Sequence, residues 1–186
     1  MDADRENSLT MTAPQEIICE TDRLWLVPYT QAYVEELIPM FEDAEVCRFI
    51  GGTRMPEEVR PRLMRLIDHY RLHGFSRWAV IHKETRSLMG WSGPLIFFID
   101  GVAEVEVGYT LRRPWWGQGF ATEAVEAAIA HARDKVGLRR MVSLIHPQNH
   151  RSLRVAAKLG SQPERMTEWH GELTHLFRIP DPPKTA

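Results

Sequence analysis

A chain of 186 residues with 44% hydrophobic and 26% charged side chains has the composition of one ordinary globular domain, which excludes disordered, collagenous and disulfide-scaffold classes. Its 23 basic and 25 acidic residues leave a formal charge of −2, so no global positive field draws in nucleic acid or anionic lipid. An anionic ligand must be held locally.

Residues 1–16 are polar, without the apolar run of a signal peptide, and the sequence closes on a proline-rich stretch. Flexible tails are expected at 1–16 and 181–186 around one domain at 17–180. No window reaches about 18 apolar residues, so a cytoplasmic location without membrane contact is expected. Cys19 and Cys47 lie far apart, outside any Cys/His ligand spacing, which predicts free thiols and no metal.

Leu24 and Leu26 alternate with Trp25 and Val27 in a short run ended by Pro28, which predicts a first strand. Thr30 then caps a helix carrying Tyr33, Val34, Leu37, Ile38 and Phe41 at helical spacing, with Tyr29 and Val34 placed as a hydrophobic staple. A second helix bears Leu63, Leu66, Ile67 and Tyr70 and stops at Gly74, with Pro56 and Pro61 competing for its first turn. Strands over 77–82, 88–98 and 104–111, joined by Lys83 to Arg86 and by Asp100-Gly101, read as an antiparallel meander. After a glycine-bearing loop come a helix over 121–135, a strand over 140–145, a short helix over 151–159 and an apolar stretch over 173–179. The order βααβββαβαβ predicts an α/β sandwich with a mixed sheet. The final stretch is expected as an exposed edge strand through which a homodimer could pair.

The richest segment is Pro114-Trp115-Trp116-Gly117-Gln118-Gly119-Phe120-Ala121-Thr122-Glu123-Ala124, between a predicted strand and helix. Glycines admit close approach of a ligand to backbone, and the first N–H groups of a helix lack internal partners, so this geometry suits an anion as well as a tight strand-to-helix turn. A Walker A loop is excluded because neither glycine precedes lysine. A dinucleotide fingerprint fails at its sixth place, Thr122, and the preceding meander is not a βαβ unit.

Trp116 to Ala124, W-G-x-G-[YF]-A-T-E-A, resembles the acetyl-CoA loop of the GNAT N-acetyltransferases, specifically their RimJ/RimL-like, ribosomal-protein-alanine acetyltransferase-like branch. Pro114 departs from the Arg/Gln that opens the general pattern. Other segments agree in order: Glu20-Thr21-Asp22-Arg23-Leu24, Trp78-Ala79-Val80, Glu106-Val107-Gly108-Tyr109, Asn149-His150-Arg151-Ser152 and Lys158-Leu159-Gly160. The resemblance implies the α/β acyl-CoA N-acyltransferase fold, a mixed, mostly antiparallel sheet flanked by helices and splayed between its fourth and fifth strands, here 104–111 and 140–145. Acetyl-CoA would enter that gap as acetyl donor. Its pyrophosphate would rest on backbone N–H groups of Gln118, Gly119, Phe120 and Ala121, with the Thr122 hydroxyl assisting and Gly117 and Asn149 as further cofactor-binding residues. Trp115 and Trp116 read as packing residues.

Acetyl transfer needs a neutral amine, a polarised carbonyl and a proton for the thiolate. Splayed backbone around Tyr109 to Leu111 suits the carbonyl. Glu104 and Glu106 share one strand face, and Glu106 matches the family's strand glutamate, which takes the amine proton through water; a solvated sheet face is the plain alternative. The family pattern implies a tyrosine on the late helix as proton donor, but all four tyrosines precede that helix; Ser152, which matches the N-x-x-S of the resembled branch after Asn149, is the candidate donor, with solvent or the ammonium product as the other source. Asn149 also suits a helix cap. His146 and His150 are further base candidates, and Trp78 and Trp91 read as core or acceptor-pocket wall. The expected activity is transfer of acetyl to a protein N-terminal α-amine or a small-molecule amine. The alternative is a catalytically silent acyl-CoA-binding module.

Overall fold

The computed structural model describes residues 14–181. Apart from residues 14–16 and 181, the expected tails lie outside the described residues. A two-residue strand, β1 (Cys19–Glu20), pairs with β2 (Leu24–Val27) and is too short to show a period. Thr30 Oγ1 accepts the Tyr33 N–H at 3.3 Å and starts α1 (Gln31–Leu37), while Tyr29 and Val34 are both buried, as a staple requires. A 3-10 turn leads to α2 (Ala44–Cys47), capped by the Asp43 carboxylate. In α3 (Pro56–His73), Pro56 takes the first turn, where its missing N–H has no helical partner, and Pro61 lies inside the helix at the loss of one bond.

The meander is β3 (Trp78–His82), β4 (Leu88–Ile99) and β5 (Val102–Leu111). Its second turn has φ +50° at Asp100 and +78° at Gly101, the positive pair of a two-residue type I′ hairpin. Then follow α4 (Phe120–Asp134), β6 (Val142–Ile145), α5 (His150–Lys158), β7 (Gln162–Trp169) and β8 (Glu172–Arg178). The sheet order is β1-β2-β3-β4-β5-β6-β8-β7, antiparallel except where β5 meets β6. Parallel neighbours require a crossover, and α4 supplies it.

Two expectations are corrected. The stretch over 173–179 is not an edge: β8 lies between β6 and β7, so β7 is the terminal strand and the proposed pairing edge does not exist there. Residues 164–172, between the predicted short helix and the final stretch and predicted as no element, belong mostly to β7. That strand is polar and largely exposed, with only Thr167 buried, its hydroxyl donating to Asp100 at 2.8 Å, so it shows no apolar alternation.

Alternation elsewhere divides the core. Leu24, Leu26, Trp78, Val80 and Met89 face α4, while Val27, Ala79 and Ile81 face α1 and α3. Trp78 is wholly core. Val107, Val125, Ile129 and Met141 extend the α4 side toward α5. Both cysteines are free, and no helix among the described residues is long and apolar enough to cross a membrane.

Burial holds His69, His131 and His170 below the ordinary histidine value, so the fold favours their neutral rings. That contribution is complete above the unfolded value, about 6.5, and is lost as pH falls through the lower folded values. The urea midpoint is expected to drop between about pH 7.5 and 5.5, and His131→Gln to flatten the drop. A midpoint constant across this window would contradict it.

Candidate active site

The site originates where β5 and β6 separate. They share one aligned pair, Glu106 opposite Val142. Just above it the Ser143 hydroxyl donates to the Val107 carbonyl at 2.7 Å, and no further pairing follows. By the two-residue alternation of a strand, the Tyr109 N–H and C=O face the same side as Val107, into the opening. At the top, Trp116 Nε1 donates to the Leu111 carbonyl at 2.6 Å. Below the opening the strands are tied by Glu104, which is 3% exposed and takes a forked hold from Arg140 at 2.9 and 2.6 Å. Arg140 also reaches Glu164 at 3.3 Å, and Glu164 pairs with Arg178, so one charge chain spans β5, β7 and β8.

A cavity of about 640 Å³ lies against the upper end of β5, at Tyr109 to Leu111. One wall is the loop before α4. Gly119 caps the helix at φ +85° and Gly117 has φ +77°, backbone that a side chain would strain. The first helical bond runs from the Glu123 N–H to the Gly119 carbonyl, so the N–H groups of Phe120, Ala121 and Thr122 have no partner within the helix. Gly117, Gly119, Phe120, Ala121, Thr122 and Asn149 all line the cavity. Gln118 does not: its amide donates to the Pro114 carbonyl at 2.7 Å and its own carbonyl accepts from Arg23.

The opposite wall is α5. The Asn149 side chain accepts the Ser152 N–H at 3.2 Å, so it is the helix cap as well as a cavity residue. Ser152 lines the cavity, as do Arg151, Arg154 and Lys158. These three cations, at helical spacing on one face, give local positive charge to a chain of net negative charge. The spacing was visible in sequence, but which face it addressed was not. Arg151 also stacks over the Trp116 ring at 4.2 Å, joining the two walls, so Trp116 both packs and lines the site.

The sequence singles out the Tyr109 backbone, but its side chain is set aside as preceding the late helix. It shares a strand face with Val107, packs, as Val155 of α5 does, against the Val107, Val125 and Ile129 cluster, and lines the cavity as does Ser152. Its hydroxyl is buried with no hydrogen-bond partner among the described residues. Burial pushes its pKa up to about 12, against an opposing effect of Ser152. A tyrosine early in the chain thus reaches the late helix across the sheet, and its parity with Val107 was the available signal.

Glu106 lies on the other sheet face and outside the cavity lining. It is 6% exposed and ion-paired with Arg77, whose guanidinium also donates to the Gly93 carbonyl and stacks on Trp91 at 4.8 Å. A side chain at Gly108 would come within 2.9 Å of the Glu106 carboxylate, so glycine there makes room for the pair. Glu104 and Glu106 are therefore buried and paired, and the solvated-face alternative is corrected. His150 lines the main cavity, whereas His146 lies in an adjoining one of about 480 Å³ with Arg48, Phe49, Gln148, Glu172 and Leu173. His146 Nδ1 accepts the Gln148 N–H at 3.1 Å, which assigns the ring proton to Nε2, 3.3 Å from Glu172.

Residues 23–162 match the family described as the acetyltransferase (GNAT) domain. An uncharacterized N-acetyltransferase, p20, of Bacillus licheniformis is 31% identical over 147 residues, 77% of this chain and 82% of p20. An acetyltransferase of Agrobacterium tumefaciens superposes with a TM-score of 0.77 at 22% identity, over 95% of this chain and 99% of its own. A RimL ribosomal α-N-protein acetyltransferase in complex with coenzyme A gives 0.73 at 19% identity, over 88% and 97%. The chain belongs to the GNAT acetyltransferase family.

Leaving a buried hydroxyl unpaired costs about 1–3 kcal/mol. Tyr109→Phe is thus expected to raise the stability of the unliganded chain by about 1 kcal/mol in urea unfolding. A loss of stability would show that the hydroxyl is bonded in solution.

Proposed function

We propose that this chain is an acetyl-CoA-dependent N-acetyltransferase of the RimJ/RimL-like kind, which acetylates a protein N-terminal α-amine or a small-molecule amine by direct attack in a ternary complex. The observation that carries the reading is one cavity that joins the end of β5 beyond its parting from β6, Tyr109 to Leu111, to the N–H groups at the start of α4. The coenzyme A complex of the similarly folded RimL protein supports an acyl-CoA donor.

In this reading the pyrophosphate accepts hydrogen bonds from backbone at 119–121 with the Thr122 hydroxyl beside it, and Arg154 and Lys158 supply charge at the rim. The thioester arm runs down the opening, where the Tyr109 N–H polarises the carbonyl. The amine nitrogen attacks that carbonyl carbon, the C–S bond breaks as the attacking nitrogen gives up its remaining extra proton to solvent, and the thiolate takes the Ser152 hydroxyl proton, which solvent returns to Ser152. A thiol pKa near 8.5 makes thiolate a tolerable leaving group. The acceptor arrives through the adjoining cavity, where the Glu172 carboxylate beside His146 attracts an ammonium group.

The amine must lose a proton. An α-amine is about a tenth neutral at pH 7, whereas a lysine-like nitrogen is neutral in about one molecule in 2,500. Glu106 is the proposed acceptor of that proton; with its carboxylate on Arg77 and off the cavity wall, it works only through intervening water. That arrangement favours the α-amine.

Release of CoA from acetyl-CoA, measured across N-terminal peptides and small amines, is expected to identify at least one acceptor. Gly119→Glu should abolish CoA binding with an unchanged circular dichroism spectrum. Acid–base groups contribute about 10²–10⁴-fold, so Ser152→Ala and Glu106→Gln are each expected to lower kcat/KM by at least about tenfold. A change under about threefold removes that residue from the mechanism. CoA binding without turnover on any amine would favour the silent module.

A further inference from the structure

The segment Glu20-Thr21-Asp22-Arg23 has no part in the chemistry above, yet its polar contacts converge on the loop that opens α4. Arg23 Nε donates to Glu123 at 2.7 Å, and another guanidinium nitrogen lies 2.5 Å from the same carboxylate. The Arg23 backbone N–H reaches it as well, at 3.2 Å. Arg23 Nη1 donates to the Gln118 carbonyl at 3.2 Å, and the guanidinium lies 4.1 Å from the Phe120 ring centroid. Thr21 adds its hydroxyl to Glu123 at 2.5 Å, and Lys83 holds the same turn through Glu20 at 2.5 Å and the Thr21 carbonyl. Positions 118, 120 and 123 are thus fastened by a residue far upstream.

Two physical needs explain such a fastening. A loop whose glycines at 117 and 119 adopt positive φ has many alternative conformations, and aligning several N–H groups on one anion is costly unless the loop is held beforehand. Glu123, in the first turn of α4, also competes as a negative charge for the positive helix end. Burial alone would raise its pKa, but the hydrogen bonds from Thr21 and Arg23 outweigh that and keep it ionised, so its charge must be answered.

We propose that Arg23, supported by Thr21, is a positioning residue for acetyl-CoA: it fixes the backbone at 118–120 as a preformed pyrophosphate cradle and cancels the charge of Glu123 beside it. The inference rests on the acetyl-CoA reading above and extends it to a residue outside the cavity wall.

The test is calorimetric titration of CoA into the wild-type chain and into Arg23→Ala, Arg23→Lys and the double variant Arg23→Ala/Glu123→Gln. Turnover of acetyl-CoA is compared with that of S-acetylpantetheine, which has the thioester arm without pyrophosphate. Charged hydrogen bonds of this kind correspond to about tenfold or more in affinity. Arg23→Ala is expected to raise the Kd for CoA by about tenfold or more, to raise KM for acetyl-CoA with kcat within about twofold, and to leave acetylpantetheine turnover unchanged. Removing the Glu123 charge in the double variant should recover part of the lost affinity. Arg23→Lys keeps the charge but loses the forked hold; it is expected to bind CoA about threefold or more weakly, and it decides the matter if Arg23→Ala does not fold. Equal losses with acetyl-CoA and acetylpantetheine would show a general structural role and overturn the inference. Wild-type binding retained unchanged in Arg23→Ala and Arg23→Lys would overturn it alone, whereas a wild-type chain that binds no CoA would overturn the donor reading and this inference with it.

Discussion

Strands β5 and β6 touch at one residue pair and then separate, and the site depends on how that separation is held. β5 cannot follow β6 because it is paired with β4 along its whole length, from Val102 opposite Ile99 to Leu111 opposite Gly90. β6 is held on its far side by β8. Glu104 and Arg140 close the lower end, and Ser143 takes the Val107 carbonyl at the point of parting. An unpaired stretch of buried backbone is costly unless a partner satisfies it. The Tyr109 carbonyl accepts from the Thr110 hydroxyl at 2.9 Å, while its N–H, on the β6 side, has no strand partner.

The connections then place everything else. Because β5 and β6 are parallel, the chain must cross over through α4, and the start of α4 comes to lie beside the opening. α5 follows β6 directly, so its capped start faces α4 across the same space. The glycine loop, the basic face of α5, Tyr109 and Ser152 meet there because of the order of elements, not because they are near in sequence. A slightly acidic chain thereby gathers the N–H groups that start α4 and three cations, Arg151, Arg154 and Lys158, along one cavity.

Much of this was legible in the residues. Thr30, Asp100-Gly101 and the Gly117–Thr122 segment each carry a local signal, a cap, a turn or a helix start, and the structure has those features there. What was not legible depends on distant partners. β7 is a polar strand that exists because β8 pairs with it, and β8 ceases to be an edge for the same reason. Glu104 and Glu106 have the spacing of an exposed sheet face, but Arg140 and Arg77 arrive from elsewhere to bury them. Tyr109 precedes the late helix by some forty positions in sequence and lies against it in space. Arg23 was part of a recognisable motif, but its partners Glu123 and Gln118, some 95 to 100 positions on, could not be read from it.

The central claim is that the opening in the sheet and the start of α4 receive one ligand together. Amide hydrogen exchange resolved to single residues, with and without acetyl-CoA, tests it most directly. Slower exchange is expected at the N–H groups of Tyr109, Phe120, Ala121 and Thr122 when acetyl-CoA is added, with the amides pairing β7 and β8 unchanged. Protection at the α4 start without any at Tyr109, or no protection at either, would contradict it.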